Sequence, residues 1–318
     1  MLRYAVVGSG AVGGFYGIRL AHAGADVQFL IRRDADADAV RTHGLDLRSP
    51  DGDLLLEDVH VARDWAQLIP CDVLVVAVKA TSNADVLAHL AEHADRLLAP
   101  DGGILLVQNG IGVEPGFAAA APGREVLGGL AFLCAHRIGP RQVEHLDYGT
   151  LTIAAHAAED AAAGVTPLMR AIAADLDSAG TRAVLDEDLV RARWRKLMWN
   201  IPFNPLSVIL DATTDELVAD PATLALIRTL MAEVAAAAAA EGRELPPTLI
   251  DDLVAATARM APYATSMKLD ADAGRPMEVD VMLAEPLRRA ARAGVAMPSV
   301  AVLHSQLAFL DRSRESGL

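Results

Sequence analysis

One stretch of the chain carries polar residues at a spacing that could do proton chemistry. Lys196, Asn200 and Asn204 recur every four residues within the segment 194–205, WRKLMWNIPFNP. Side chains four residues apart share one face of an α-helix, so these three would form a polar stripe. The apolar neighbours of Lys196 should remove it partly from water, which lowers the pKa of the ammonium towards the range useful for a general acid. A solvated stripe with an extended lysine is the alternative interpretation.

A second pattern is the glycine-rich stretch Gly8-Ser9-Gly10-Ala11-Val12-Gly13. It follows a short apolar strand and opens a helix, which is the context of a dinucleotide site. The first glycine allows a tight turn, the second lets the backbone approach a pyrophosphate, and the third lets the helix pack on the strand. The helix N-terminus would hold the anion. These six residues are therefore predicted to bind a cofactor, although an ordinary strand-to-helix turn is the alternative.

The end of the second predicted strand bears on which dinucleotide is bound. An acidic residue about 20 positions beyond the glycines would bind a free ribose 2′-hydroxyl. The chain has Arg32 and Arg33 there instead. A guanidinium offers a planar fork to a phosphate, which favours NADPH over NADH, with Arg32 preferred as the 2′-phosphate ligand. In the alternative, both arginines are solvated and Asp34 reaches the hydroxyl.

Four further polar residues are candidates for a ligand site. Lys79 and Asn109 follow apolar strands, and the carboxyl ends of strands line the ligand crevice of a doubly wound sheet. They could hold a carbonyl or carboxylate against a nicotinamide, or merely cap loops. Glu278 is predicted in the first turn of a helix beginning at Pro276, where an acid commonly responds to the helix dipole. Ser266 precedes it in a loop-to-helix stretch, and the local pattern alone gives neither residue a role.

The order of the predicted elements divides the chain into two domains. Residues 1–185 alternate β-rich runs with amphipathic stretches, which predicts an α/β fold with a doubly wound, Rossmann-type parallel sheet. Residues 45–56, with Ser-Pro-Asp-Gly at 49–52, are predicted to form an antiparallel hairpin. Residues 186–318 are rich in Ala and Leu at helical spacing, which predicts an all-helical domain. The predicted strands are 4–7, 27–31, 73–78, 104–107 and 126–130, and the predicted helices of the second domain are 187–210, 221–241, 247–260, 276–293 and 299–313.

Composition excludes several classes of partner. With 53% hydrophobic and 22% charged residues, the 318-residue chain has the composition of a globular protein. Its formal net charge of −14 repels nucleic acid and anionic lipid. The longest apolar runs fall well below the ~20 residues of a membrane helix, so no membrane span is expected. Cys71 and Cys134 form no disulfide framework, which predicts a reducing, cytoplasmic compartment.

Two metal-like patterns are set aside. The sequence His-Leu-Ala-Glu-His at 89–93 matches an inverted zinc-protease motif, but its polar side chains fall on the wet face of the predicted helix. Asp34, Asp36 and Asp38 alternate as in a calcium loop, yet the required glycine and closing glutamate are missing, so a charged turn is predicted. No metal site is predicted.

Five segments together resemble the ketopantoate reductase (2-dehydropantoate 2-reductase) family, in that family's order. The resemblance extends nearly from end to end and implies a Rossmann domain followed by a helical domain like the C-terminal domain of 6-phosphogluconate dehydrogenase. The segments are VVGSGAVGG at 6–14, AVKA at 77–80, QNGIG at 108–112, WRKLMWNIPFNPLS at 194–207 and SMKLDADAGRPMEVD at 266–280.

The resemblance also assigns roles to the candidate residues. It implies that Lys196 is the general acid, that Glu278 is the second important polar residue of the active site and that Arg32 binds the 2′-phosphate. The other cleft residues of the family fall on Lys79, Asn109, Asn200, Asn204 and Ser266.

The implied activity is NADPH-dependent reduction of a small 2-oxo acid, ketopantoate to pantoate in pantothenate biosynthesis. One departure concerns the substrate, because Tyr263 stands where the family has a substrate-binding asparagine. Another is Pro202, which is expected to bend the active-site helix. The alternatives are a reductase of the same family acting on a different 2-oxo acid, and a protein that senses NADP(H) without turnover. Both a monomer and a homodimer fit the sequence.

Overall fold

The computed structural model describes residues 1–315, so the last three residues of the predicted helical domain lie outside the described range. The chain forms two compact units. Unit 1 comprises Met1–Gln108 and Val113–Leu189, and unit 2 comprises Asn109–Gly112 and the chain from Val190 onwards. The short segment Asn109–Gly112 therefore belongs with the helices, and the main passage between the units lies at 189/190, close to the predicted boundary after residue 185.

Ten strands in unit 1 form one sheet. Its order is β4-β3-β9-β8-β7-β6-β1-β2-β5, and β10 pairs beside β9. The strands are β1 Arg3–Val7, β2 Asp26–Leu30, β3 Leu45–Arg48, β4 Leu54–Leu56, β5 His60–Ala62, β6 Cys71–Val76, β7 Leu98–Leu106, β8 Glu125–Arg137, β9 Gln142–Ala155 and β10 Ala183–Leu185. The helices of this unit are α1 Ala11–His22, α2 Asp34–His43, α3 Asn83–Leu97, α4 Glu114–Ala120 and α5 Pro167–Ser178.

The central strands are parallel because they are apolar on both faces. β1 pairs in parallel with β2 and β6, and every residue of β1 after Arg3 is buried. The pairs β6–β7 and β7–β8 continue the parallel arrangement, whereas β8–β9 and β3–β4 are antiparallel. The predicted Rossmann-type sheet is confirmed, and so is the antiparallel hairpin, which is formed by β3 and β4.

Unit 2 is helical and packs around an apolar centre. Trp194, Ile201 and Phe203 on its first helix are fully buried, as are Met231 and Val234. A π-helical turn, Asp280–Ala284, leads directly into α11. The helices are α6 Leu189–Ile209, α7 Thr214–Ala219, α8 Pro221–Ala240, α9 Leu249–Thr257, α10 Ser266–Asp272, α11 Glu285–Arg292 and α12 Pro298–Glu315.

Helix α8 is long and apolar enough to cross a membrane by length and composition alone, and it is the one described helix of this kind. The core helix of a globular protein passes the same test. The buried side chains of α8 include Ile227, Leu230, Met231 and Val234, which belong to the apolar centre of unit 2. Its alanine-rich end, with Ala237 and Ala238 fully buried, forms a packed helix, as the sequence predicts.

Two local predictions were wrong. The aspartates at 34, 36 and 38 do not form a turn but open α2, where acidic side chains favour the positive end of the helix dipole. The helix predicted from Pro276 begins later, so Glu278 lies in the loop just before the first helical residue, Val279. Its backbone C=O accepts a hydrogen bond from Met282 N at 3.2 Å, which makes Glu278 the residue that starts the helix rather than a member of its first turn.

Candidate active site

The glycine-rich loop of unit 1 connects β1 to α1, and its first and third glycines are required by close packing. Gly8 has φ +104°, and a Cβ there would lie 2.7 Å from Val78 N. A Cβ on Gly13 would lie 2.1 Å from Gly8 O and 2.7 Å from the Cβ of Ala77. Neither position can carry a larger residue, so the strand, the loop and the helix approach each other as closely as the sequence pattern predicts.

The second glycine differs because it faces open space. A Cβ on Gly10 would meet no described atom within 4 Å, and Gly10 is the residue immediately before α1. Ser9, Ala11 and Val12 are half-buried, so the rim of the loop is accessible. Free space beside the backbone N–H groups of a helix N-terminus is what a pyrophosphate needs. The loop therefore fits the dinucleotide that the sequence predicts.

The two arginines after β2 have different partners. Arg33 directly precedes α2, and its Nε donates to Asp36 Oδ2 at 2.9 Å. Arg32 Nη1 instead contacts Asp85, which lies in the first turn of α3. Arg32 is therefore paired between two elements of unit 1, whereas Arg33 is paired with the helix that it precedes.

Lys79 lies in the loop between β6 and α3. The loop is held by Gln108, a buried residue whose Nε2 donates to Val78 O at 2.8 Å and to Asn83 Oδ1 at 2.6 Å. Lys79 itself is half-buried, and its C=O accepts from Ser82 N at 2.9 Å. Gln108 was missed by the sequence analysis, although it stands directly before the predicted Asn109. We infer that it positions the loop that carries Lys79.

In unit 2, α6 carries the predicted polar stripe. Lys196 is half-buried among apolar neighbours, and the pKa of its ammonium is lowered to about 7. Loss of solvation is the largest cause, and the positive charge of Arg193 lowers the pKa further. The carboxylate of Glu278 acts in the opposite direction by stabilising the charged form. Lys196 is thus poised to exchange a proton near neutral pH, and Glu278 is its acidic neighbour.

Asn200 and Asn204, one and two turns further along α6, are both buried but differ in their hydrogen bonds. Asn204 Nδ2 donates to Asn200 O at 3.2 Å, and its Oδ1 accepts from Met267 N at 3.4 Å. Asn200 Nδ2 is buried and has no hydrogen-bond partner among the described residues. Asn200 therefore has a donor available for a ligand, whereas both ends of the Asn204 amide are used within the protein.

The start of α10 is fixed to α6 on both sides of Ser266. Ser207 Oγ lies 2.7 Å from Thr265 Oγ1, and Asn204 Oδ1 accepts from the following residue, Met267. Thr265 also accepts from Lys268 N, so it caps the helix. Ser266 is half-buried and lies between these two contacts, which fix its backbone relative to α6.

The loop that carries Glu278 is held by two carboxylates, one from α12 and one from the preceding helix α10. Asp311, on α12, accepts from Met277 N at 3.0 Å. Asp270, which is buried, accepts from Arg275 Nε at 3.0 Å. The chain that leads into Glu278, the residue that stabilises the charged form of Lys196, is therefore fixed by two hydrogen bonds in the three residues before it.

Removal of the Asp311 carboxylate should disturb Glu278 without touching it. We expect Asp311→Ala to lower kcat/KM about 10-fold, because small displacements of a catalytic group cost rate steeply. Asp311→Asn should retain most of the activity, since an amide oxygen also accepts from Met277 N. Steady-state kinetics of the two variants provide the measurement. Equal losses in both would show that the charge, not the hydrogen bond, matters.

Asn109 begins the short segment that belongs to unit 2. The next residues dock on the π-helical turn: Ile111 N donates to Val281 O at 3.1 Å, and a Cβ on Gly110 would lie 2.5 Å from the same oxygen. Asn109 itself is half-buried. It is therefore carried by the same unit as Lys196 and Glu278, whereas Lys79 and the glycine loop belong to unit 1.

The two departures from the family pattern are both accommodated. Tyr263 is buried, with 8% of its surface exposed, and its C=O accepts from Thr214 N at 3.1 Å. Pro202 and Pro205 lie inside α6, which continues through both. A proline has no N–H, so the carbonyl groups of Met198 and Ile201 lack their usual helical donors. In residues 1–315, no group of three or more His, Cys, Asp or Glu side chains is arranged to hold a metal ion.

Comparison with known proteins identifies the family. Residues 4–158 match the family described as ketopantoate reductase PanE/ApbA, and residues 188–311 match its C-terminal domain. A 2-dehydropantoate 2-reductase from Nostoc sp. is 43% identical over 99% of this chain and 97% of the relative. The crystal structure of the 2-dehydropantoate 2-reductase from Geobacter metallireducens is 35% identical, with a TM-score of 0.88 over 96% of this chain and 99% of that one.

A more distant structure shares the fold alone. It is a D-mandelate dehydrogenase with NADH and anilino(oxo)acetate, 21% identical, with a TM-score of 0.84 over 98% of this chain and 99% of that one. The two family matches together extend over most of the chain, and the relatives align along nearly their whole length. The protein therefore belongs to the ketopantoate reductase PanE/ApbA family of NAD(P)-dependent oxidoreductases.

Proposed function

We propose that the protein reduces ketopantoate to pantoate with NADPH, as a cytoplasmic enzyme of pantothenate biosynthesis. The observation that carries the proposal is Lys196, whose ammonium has a pKa of about 7 and an acidic neighbour in Glu278. A group that releases its proton near neutral pH is suited to protonate a developing alkoxide. Both cysteines are free and buried, which suits a reducing compartment.

When bound, the reduced nicotinamide supplies a hydride to C2 of the oxo acid. The protein's own part is to deliver the proton. Lys196 Nζ protonates the oxygen on C2 as negative charge develops there, and the neutral amine is then reprotonated from water. Glu278 stabilises the ammonium before transfer. Without such a donor, the negative charge that develops on the oxygen would be stabilised by hydrogen bonds alone.

Three residues of unit 2 are proposed to orient the substrate. Asn200 offers its buried, unpartnered Nδ2 to an oxygen of the oxo acid. Ser266, at the start of α10, donates to the carboxylate. Asn204 acts as a positioning residue, because its amide spans from Asn200 O to Met267 N. Asn109 and Lys79 remain proposed ligands of substrate and cofactor.

A panel of 2-oxo acids tests the substrate. Rates of NADPH oxidation would be compared for ketopantoate, for analogues without its 4-hydroxyl and for aromatic 2-oxo acids. Ketopantoate should give the highest kcat/KM. A reductase for another 2-oxo acid, the alternative raised by Tyr263, would prefer a different member, and Tyr263→Asn should then increase the relative rate with ketopantoate. Cofactor binding without turnover of any member would indicate a sensing protein.

The pH dependence of the reaction follows from Lys196. Reduction needs the protonated amine, so kcat should be constant well below pH 7 and fall about tenfold per pH unit above it. Oxidation of pantoate needs the neutral amine and should rise over the same range. Stopped-flow single turnovers at saturating cofactor measure both directions. A flat profile for reduction between pH 6 and about 9 would contradict the assignment of Lys196 as the acid.

The preference for NADPH is proposed to depend on Arg32. We expect Arg32→Ala to weaken NADPH binding about 10- to 100-fold and to change NADH binding little, because one charge-assisted hydrogen-bond pair to the 2′-phosphate is lost. Fluorescence titration with each cofactor measures the two dissociation constants. Arg33→Ala is the matched control, since Arg33 pairs with Asp36 at the start of α2. Parallel losses for both cofactors in Arg32→Ala would overturn the phosphate assignment.

A further inference from the structure

The carboxylate of Asp85 is paired with Arg32, the guanidinium that is proposed to bind the 2′-phosphate. Arg32 Nη1 forms an ion pair with Asp85 Oδ2, although the two residues are 53 positions apart in sequence. Both side chains are about half exposed, at 57% for Arg32 and 47% for Asp85. The pair therefore lies at the surface of unit 1, where a ligand can reach either partner.

The Arg32–Asp85 pair differs from the neighbouring arginine ion pairs, which all involve aspartates of α2. Arg33 is held by Asp36, which also accepts from Arg137 at 2.9 Å. Arg63 pairs with both Asp34 and Asp38. Each of these contacts fixes α2 or its flanks. The Arg32–Asp85 pair joins the chain after β2 to the first turn of α3. It places a carboxylate on the guanidinium that is proposed to bind the 2′-phosphate.

Asp85 has a second partner available. His89 lies one turn further along α3, and its Nε2 is 3.6 Å from Asp85 Oδ1. The carboxylate can therefore turn towards His89 when Arg32 is drawn away. An exposed ion pair of this kind contributes little stability, so a phosphate can displace the Asp85 carboxylate from Arg32. The displaced carboxylate keeps its negative charge and stays close to the phosphate.

We propose that Asp85 limits the preference for NADPH over NADH by competing with the 2′-phosphate for Arg32. The proposal rests on the proposed assignment of Arg32. A 2′-phosphate carries nearly two negative charges and must share the guanidinium with an acid that remains beside it. NADH lacks this phosphate and meets no such opposition. Asp85 thus acts as a specificity-determining residue that brings the two cofactors closer in affinity than Arg32 alone would.

Asp85→Asn tests the competition. Removal of one negative charge from within a few ångströms of the phosphate should tighten NADPH binding about 5- to 20-fold and change NADH binding less than about twofold. Fluorescence titration gives both dissociation constants independently of turnover. Calorimetric titration with adenosine 2′,5′-bisphosphate and with AMP repeats the comparison without a nicotinamide, and the gain should appear with the bisphosphate alone.

Asp95→Asn is the matched control. Asp95 lies on the same helix, is fully exposed and is separated from Asp85 by ten residues, which corresponds to about 15 Å along a helix. The two variants change the net charge equally, but at 15 Å the charge of Asp95 is largely screened at physiological salt. Asp95→Asn should therefore leave the affinity for both cofactors unchanged.

The remaining outcomes separate this inference from the proposed function. Weaker NADPH binding in Asp85→Asn would show that Asp85 positions Arg32 rather than competes for it, and equal gains for both cofactors would show a general charge effect. Either result overturns the inference while a selective loss in Arg32→Ala still supports the NADPH site. In an Arg32→Ala background, Asp85→Asn should give a smaller gain than in the parent, since no guanidinium is released. If Arg32→Ala affects both cofactors equally, the proposed site and this inference fail together.

Discussion

Replacing Lys196 with alanine should lower kcat for ketopantoate reduction roughly 10²- to 10⁴-fold while the dissociation constant of NADPH changes little. The size of the loss follows from the role of the group, because a positioned acid contributes in the transition state and not to binding of the dinucleotide. The glycine loop and Arg32, which are proposed to hold the cofactor, belong to unit 1, whereas Lys196 belongs to unit 2. Single-turnover absorbance measurements of NADPH oxidation, together with fluorescence titration, give the two quantities separately.

Lys196→Arg separates proton donation from charge. Arginine keeps a positive charge at the position but does not release a proton near neutral pH. It should therefore remain nearly as inactive as the alanine variant, and its residual rate should lose the pH dependence expected of the parent. Activity within a few-fold of the parent in either variant would remove Lys196 from the chemical step.

The second large effect concerns stability. Glu241, at the end of α8, accepts from Arg289 Nε at 2.9 Å and from Trp194 Nε1 at 2.8 Å. The side chains of Glu241 and Arg289 are 15% and 9% exposed, and Trp194 is fully buried. Glu241→Ala removes the carboxylate that accepts from both Arg289 and the buried Trp194, so we expect the free energy of unfolding to fall by about 3–5 kcal/mol.

Denaturant unfolding of Glu241→Ala, followed by tryptophan fluorescence, measures the change. Glu244→Ala is a suitable control, because Glu244 is exposed and lies three residues further along. Its free energy of unfolding should stay within about 0.5 kcal/mol of the parent. A loss below about 1 kcal/mol in Glu241→Ala would mean that water or another acid replaces the carboxylate.

Periodicity predicted the parts of the fold that have a strong local pattern. β1 and β6 are continuous apolar runs, and α6 and α8 have long helical patterns, so each was found within a few residues. β9 was missed, because it has no continuous apolar run over most of its length and its pairing with β8 is irregular near Tyr148, which has a positive φ. Such a strand becomes ordered through pairing with β8, a contact that no local pattern contains.

In the candidate site too, residues in local sequence patterns could be predicted, whereas residues that act through tertiary contacts could not. The stripe on α6 and the glycine loop are local patterns, and their residues could be named from spacing alone. Asp311, Asp85 and Gln108 could not, because each acts through a partner at least 25 positions away in sequence. The contacts of Asn204 also depend on tertiary structure: the family resemblance implied a cleft residue, and the structure adds that its Oδ1 accepts a hydrogen bond from Met267 N.

The segment Asn109–Gly112 means that a single cut in the chain does not separate the two units. Ile111, 2% exposed, is part of the apolar centre of unit 2, although it is flanked on both sides by chain of unit 1. A protease that cuts once near residue 187 would therefore yield two fragments that stay together on a native gel, with Ile111 as the anchor. A recombinant fragment that ends at residue 185 would contain Ile111 but not the helices that bury it. Its exposed apolar surface should make the fragment prone to self-association.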